Sequence, residues 1–200
     1  LFPYDFSAEG RRVVPFVRAL AKHFDARVTV VSVVSPTSDV EPEDMDVPVG
    51  DDPADWERAR QARLDGALIE ELSGLRVERI ALVGDPAFRV TNLAHAQDVD
   101  LIMMPTHGYG PFRSLLIGSV TAKVLHDTDV PVWTSAHSTP HSTQPPAPAA
   151  LYGSIVCAVD VTGEGVPVLQ WAAEFASHFH SKLCLAHAVA GAEAVDASLQ

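Results

Sequence analysis

Strand-like and helix-like stretches alternate along the first two thirds of this chain, and that alternation restricts the fold more than any other feature. The run VTVVSVV at residues 28–34 is almost unbroken β-branched sequence, the pattern of a strand buried on both faces of a parallel sheet. Before it, Val13, Val14, Phe16, Val17, Leu20, Ala21 and Phe24 recur at helical spacing behind Ser7, a good N-cap, which predicts a helix over residues 8–24. The short apolar run at residues 1–3 then reads as the interior of a strand that starts upstream, and strand, helix, strand is a βαβ unit.

The pattern continues. Helices are predicted over residues 56–72, 87–97 and 119–126, and strands over 77–83 (VERIALV), 101–105 (LIMMP) and 130–134 (VPVWT). Pro86 suits a first helical turn, and Pro131 suits a sheet edge. The expected fold class is α/β, a doubly wound, Rossmann-like five-stranded parallel sheet with residues 130–134 at one edge. Residues 37–55 are acidic and proline-rich and are expected to form a mobile, solvated loop, without the spacing of a calcium loop.

Residues 137–150 (HSTPHSTQPPAPAA) read as an extended linker. Beyond it the beginning repeats. A shift of 155 positions aligns Asp5 with Asp160, Glu9-Gly10 with Glu164-Gly165, Phe16 with Trp171, and His23-Phe24 with His178-Phe179. The expected organisation is a first domain over 1–136, the linker over 137–150, and a partial second repeat of strand, helix and strand over 151–200. In that repeat Ala158 replaces Pro3 and Ala188 replaces Val33.

A formal net charge of −12 argues against nucleic acid and anionic lipid as partners. No stretch approaches the roughly 20 apolar residues of a membrane span, and the start lacks a secretory pattern, so a soluble, cytoplasmic protein is expected. Cys157 and Cys184 sit in apolar runs without metal spacing and are expected to pack in the core.

Doubly wound sheets bind ligands beyond the carboxyl ends of strands where the winding reverses. Asp5 follows the first strand, as an acceptor for ribose hydroxyls or an adenine amine, or as a turn or capping residue. After the fourth strand come Thr106, His107, Gly108 and Gly110, then Gly118-Ser119 opening a helix. Gly108 permits close backbone approach, and the helix start offers free N–H groups to an anion, although the same residues also serve a simple turn and cap. Arg113 is either a phosphate neutraliser or a solvated loop residue. His107 has no partner at ligand spacing and reads as loop packing.

PYDFS after strand one, MPTHG after strand four, and GSVTAKVLHDTDVPV resemble the universal stress protein family over residues 1–135, and the likeness restarts at Ser154. The ATP-binding branch carries Gly, two residues, Gly, nine residues, then Gly-Ser or Gly-Thr. Gly108, the nine residues that follow it, and Gly118-Ser119 match, while Pro105 stands in place of the first glycine and removes one backbone N–H. The resemblance implies an adenine-nucleotide site for ATP, with Mg2+ as counter-ion. Asp5 and Val33 would face ribose and adenine beside Pro3, Met104 would line the base pocket, and Gly108, Gly118, Ser119 and Val120 would wrap the phosphates.

Three functions stay open. A nucleotide-dependent regulatory module needs no turnover, and no Walker lysine or nucleophile-base pair is evident. A weak ATPase or autophosphorylating protein would use Ser119 or Thr121 as acceptor. A nucleotide-free dimerisation module fits the loss of the first glycine. The strand at 130–134 is expected to pair with another copy as a homodimer, or with the second repeat as an intrachain pseudo-dimer.

Overall fold

A computed structural model describes residues 1–35, 52–106, 117–135, 152–160 and 165–188. The chain divides into two compact units, Leu1–Pro145 and Pro146–Gln200. The boundary falls within the predicted linker, whose residues lie outside the described ones, as do residues 37–51 of the predicted acidic loop.

The first unit runs β1 (Phe2–Pro3), α1 (Ala8–His23), β2 (Arg27–Val34), α2 (Pro53–Asp65), β3 (Arg76–Val83), α3 (Pro86–Ala96), β4 (Ile102–Pro105), α4 (Ser119–Asp127) and β5 (Val132–Ser135). Local chemistry sets the starts. The Ser7 hydroxyl accepts the Gly10 amide at 2.9 Å to open α1, with Glu9 in the first turn and Lys22 and His23 in the last, matching the helix dipole. Asp85 caps α3 by accepting the Phe88 amide, with Pro86 in the first turn.

Strands β1, β2 and β3 form one parallel sheet, with Phe2 opposite Val30 and Val33 opposite Leu82. Strands β4 and β5 form a second parallel pair, Met104 opposite Thr134. The expected single sheet of five strands therefore resolves as three plus two, because β1 pairs over only two residues. The sheets still meet, since the Met103 amide donates to the Leu1 carbonyl and the Leu1 nitrogen donates to the Leu101 carbonyl, both at 2.8 Å.

Both sheet faces are covered. Val31, Ile102 and Met104 join Ala87, Val90 and Ala94 of α3 and Val124 of α4 in one apolar cluster. On the other face Phe16 of α1 packs on Trp133 of β5 at 5.0 Å, and Val13, Val14, Val17, Leu20 and Leu64 are buried.

Three elements differ most from expectation. Helix α2 begins before Trp56 because the Asp52 carboxylate accepts the Ala54 amide and Pro53 stands in the first turn; it stops at Gly66, and residues 66–72 turn instead of extending the helix. Strand β5 starts after Pro131, which has no N–H to give a ladder, although its carbonyl accepts the Ile102 amide. The third difference is at β1, which covers Phe2–Pro3 alone.

The second unit holds β6 (Ser154–Ala158), α5 (Gly165–His178) and β7 (Lys182–Ala186), with β6 and β7 parallel. Cys157 is buried, but Cys184 is exposed, which corrects the expectation that both pack in a core. Among the described residues of this unit, α5 is the one helix packed on a two-stranded sheet, and β7 is exposed along most of its length. Among the described residues no helix is long and apolar enough to cross a membrane.

Candidate functional site

The winding reverses beside β1. From β1 the chain steps to β2 and β3 on one side, and then returns through α3 to β4 on the other. Two parallel strands whose following loops diverge leave a crevice at their carboxyl ends. Asp5 leaves β1 there, and Thr106 leaves β4 there.

On the β1 side, Pro3 is half-buried opposite Val31, and the Tyr4 amide continues the ladder to the Val31 carbonyl at 2.8 Å. Asp5 is exposed. Its Oδ1 accepts the Ser7 amide at 2.9 Å, which fixes the carboxylate as an Asx-type turn ahead of α1. The turn reading of Asp5 is therefore observed in one oxygen, while the residue as a whole faces solvent. Tyr4 is buried beneath it; burial pushes its phenol upward, and its hydroxyl has no hydrogen-bond partner among the described residues.

On the β4 side, Gly118 is the N-cap of α4 with φ −67° and ψ 151°, and among the described residues no side chain caps the helix. The Gly118 amide donates to the Thr106 carbonyl at 2.7 Å, so the two ends of the loop between them are stitched together. The buried Thr121 hydroxyl donates to the Pro105 carbonyl at 3.0 Å and anchors the helix to the strand. Ser119 and Val120 are exposed at the helix start. An uncapped helix start with exposed N–H groups is an anion-binding arrangement. The two hydroxyls proposed as phosphate acceptors now separate: Ser119 is exposed, and Thr121 is buried and engaged.

Val33 is half-buried and packs against the apolar cluster that contains Met104. Met104 is itself buried in that core. Gly108 and Arg113, with His107, lie outside the described residues.

Sequence reasoning missed two neighbours of Asp5. A Cβ on Gly10 would lie 3.1 Å from Asp5 Oδ1 and 3.1 Å from the Tyr4 ring, so a larger residue there would press the carboxylate and the ring aside by a few tenths of an ångström. Phe6, in the turn itself, has φ +64° and lies under Arg63 and Arg60 of α2. The Glu9-Gly10 pair recurring as Glu164-Gly165 was a signal for the first; nothing local signals the second.

At the start of α3, Asp85 also meets Lys123 of α4, with both carboxylate oxygens at 3.2 Å from Nζ. The Phe88 amide first, and Lys123 after it, hold the Asp85 carboxyl below its ordinary range.

A family model described as the universal stress protein family matches residues 1–135. This chain belongs to the universal stress protein family. A universal stress protein of Thermus aquaticus is 29% identical over 134 residues, covering 66% of this chain and 93% of the relative. A Synechocystis relative is 29% identical over 135 residues, but the match covers only 41% of that longer protein. Among solved structures, a universal stress protein from Archaeoglobus fulgidus superposes with a TM-score of 0.71 at 20% identity, over 95% of this chain and 67% of that one. Another, solved in complex with cAMP, has a TM-score of 0.50 at 21% identity, over 68% and 94%. These two likenesses concern the fold.

Proposed function

We propose that this universal stress protein binds an adenine nucleotide, ATP, at the crevice between β1 and β4 and acts as a nucleotide-dependent regulatory module. The observation that carries the reading is the start of α4: Gly118 caps it without a side chain, and the Gly118–Thr106 bond holds it at the carboxyl end of β4. The amides of Ser119 and Val120 would donate to phosphate oxygens there, Gly118, whose own amide is held by Thr106, would let the phosphates approach the backbone, and Asp5 would accept hydrogen bonds from the ribose hydroxyls. Pro3 and Val33 would flank the base above Met104, with Gly108 and Arg113 completing the phosphate end and Mg2+ as counter-ion. The relative solved with cAMP supports an adenine nucleotide as the ligand class.

Several features support the finer architecture. The bonds from Met103 to Leu1 and from Leu1 to Leu101 favour one continuous sheet with β1 in the middle. The register shared between β1–β2 and β6–β7 favours a second universal stress protein repeat over 151–200, after a first domain over 1–136 and the linker. Strand β5 pairs only with β4 among the described residues, and so offers an edge to a second copy or to the second repeat. The cytoplasm suits two free cysteines.

Calorimetric titration with ATP tests the site. Asp5→Ala should lose about 1.5–3 kcal/mol of binding, on the order of tenfold to a hundredfold in Kd, because it removes charge-assisted acceptors. A wild-type protein that gives neither heat nor a thermal shift with ATP would favour the second reading, a nucleotide-free assembly module. Pro105 supports that alternative, since its missing N–H removes a donor from this edge.

A further inference from the structure

Asp5 is held from more sides than a surface carboxylate needs. Its Oδ1 accepts the Ser7 amide across Phe6, and it lies close against α1 at Gly10, where a Cβ would come within 3.1 Å of it. Between them Phe6 has φ +64°, a left-handed conformation that a bulky aromatic residue rarely adopts and keeps only where its surroundings impose it.

Those surroundings come from far along the chain. The Phe6 ring lies 4.9 Å from the Tyr4 ring, and Tyr4 is buried. The Arg63 guanidinium carbon lies 4.2 Å from the Phe6 ring centroid, and that of Arg60 lies 5.3 Å away. Both arginines belong to α2, one helical turn apart, so α2 presents two cations to a single ring. A ring clamped in this way cannot swing out without breaking the contact, and the turn cannot relax to negative φ without moving the ring.

We infer that Phe6 and Arg63 are positioning residues for the nucleotide site: their cation–π contact ties α2 to the Asp5–Ser7 turn and fixes the carboxylate in the direction in which it meets the ribose. The inference rests on the reading of Asp5 as the ribose acceptor. It makes α2, which supplies none of the proposed ligand contacts, part of the affinity of the site.

The test is ATP titration of Arg63→Gln, Arg63→Lys, Phe6→Leu and Phe6→Tyr, each in the native and the Asp5→Ala background. Arg63 is exposed, so its variants should fold. Arg63→Gln and Phe6→Leu should weaken ATP about two- to fivefold, the size of one cation–π contact, whereas Arg63→Lys and Phe6→Tyr keep most of the affinity. With Asp5→Ala present the loss should vanish, because a positioning residue acts through the group it positions. An equal loss in both backgrounds, or none in either, overturns the inference. A wild type that takes no ATP refutes the nucleotide reading, and exchange of the Ser7 amide proton then decides the positioning claim by itself. Exchange should be faster in Arg63→Gln than in Arg63→Lys; equal rates in those two and the wild type overturn it.

Discussion

The two βαβ segments at β1–α1–β2 and β6–α5–β7 share a local geometry and differ in what covers them. A shift of 155 positions carries the pair Cys157–Leu185 onto Phe2–Val30, and Ala158–Ala186 onto Pro3–Val31. It also carries the bond from the Val159 amide to the Ala186 carbonyl (2.9 Å) onto that from Tyr4 to Val31 (2.8 Å). The left-handed residue after each helix matches as well, His180 with φ 51° for Asp25 with φ 47°. The glycine recurs too, with different neighbours: a Cβ on Gly165 would collide with the Asp160 backbone carbonyl at 2.2 Å, whereas one on Gly10 would press on the Asp5 side chain and the Tyr4 ring at 3.1 Å. Coverage does not recur: Val30 is 1% exposed, and its counterpart Leu185 is 53% exposed. Register and turns are therefore written locally, whereas burial depends on α2, α3 and α4, which pack around the first segment.

The largest effect that separates the two is a truncation at this equivalent pair. Val30→Ala should cost roughly 2 kcal/mol, from lost apolar burial and the cavity left behind. Leu185→Ala removes more carbon and should cost within about 0.5 kcal/mol, because that carbon already meets water. Urea unfolding, with amide exchange to distinguish the units, reads both. A cost at Leu185 comparable to that at Val30 would mean that the second sheet is covered in solution, and the contrast would collapse.

A medium effect tests the claim that the first segment is set locally. Ser7→Ala removes the acceptor of the Gly10 amide and should lower stability by about 1 kcal/mol, the ordinary worth of an N-cap. Ser7→Asp should restore most of it. Its counterpart, Thr162, lies outside the described residues, so Thr162→Ala measured beside it asks whether the second helix is capped in the same way.

What was legible in the sequence follows the same division. Elements with a strong local signature were readable: the β-branched run of β2, the Ser7 cap, Pro86 at the start of α3, and the glycine at the start of α4. Helix α2 was misplaced because its cap, Asp52, is hidden in an acidic, proline-rich stretch, and because Leu64 is its one buried residue, which leaves little periodicity to read. Cys184 was misjudged because an apolar run states that a segment can be buried, not that other elements are present to bury it. At the site, Asp5 and Gly118 were visible as residue types after strands. The approach of Arg63 to Phe6 was not, because it depends on how α2 lies over the turn, a tertiary fact without a motif.

The smallest effect concerns a contact that exists only where α3 and α4 are present. Asp85 accepts the Phe88 amide and meets Lys123, and its carboxyl is held below the ordinary value near 3.8, chiefly by that amide. The folded state thus takes up the proton less readily than the unfolded chain does. The stabilisation from Asp85 is complete above the ordinary carboxyl value and is lost as pH falls through the lowered one. Asp85→Asn should therefore be less stable than the wild type at neutral pH, and the two should converge as the pH drops below the ordinary value. The site is exposed, so added salt should narrow the Lys123 share of the gap, which Lys123→Ala isolates, while leaving the amide share in place. A gap that persists unchanged at low pH would assign the role of Asp85 to shape alone, and the clasp between α3 and α4 would no longer distinguish the covered segment from the uncovered one.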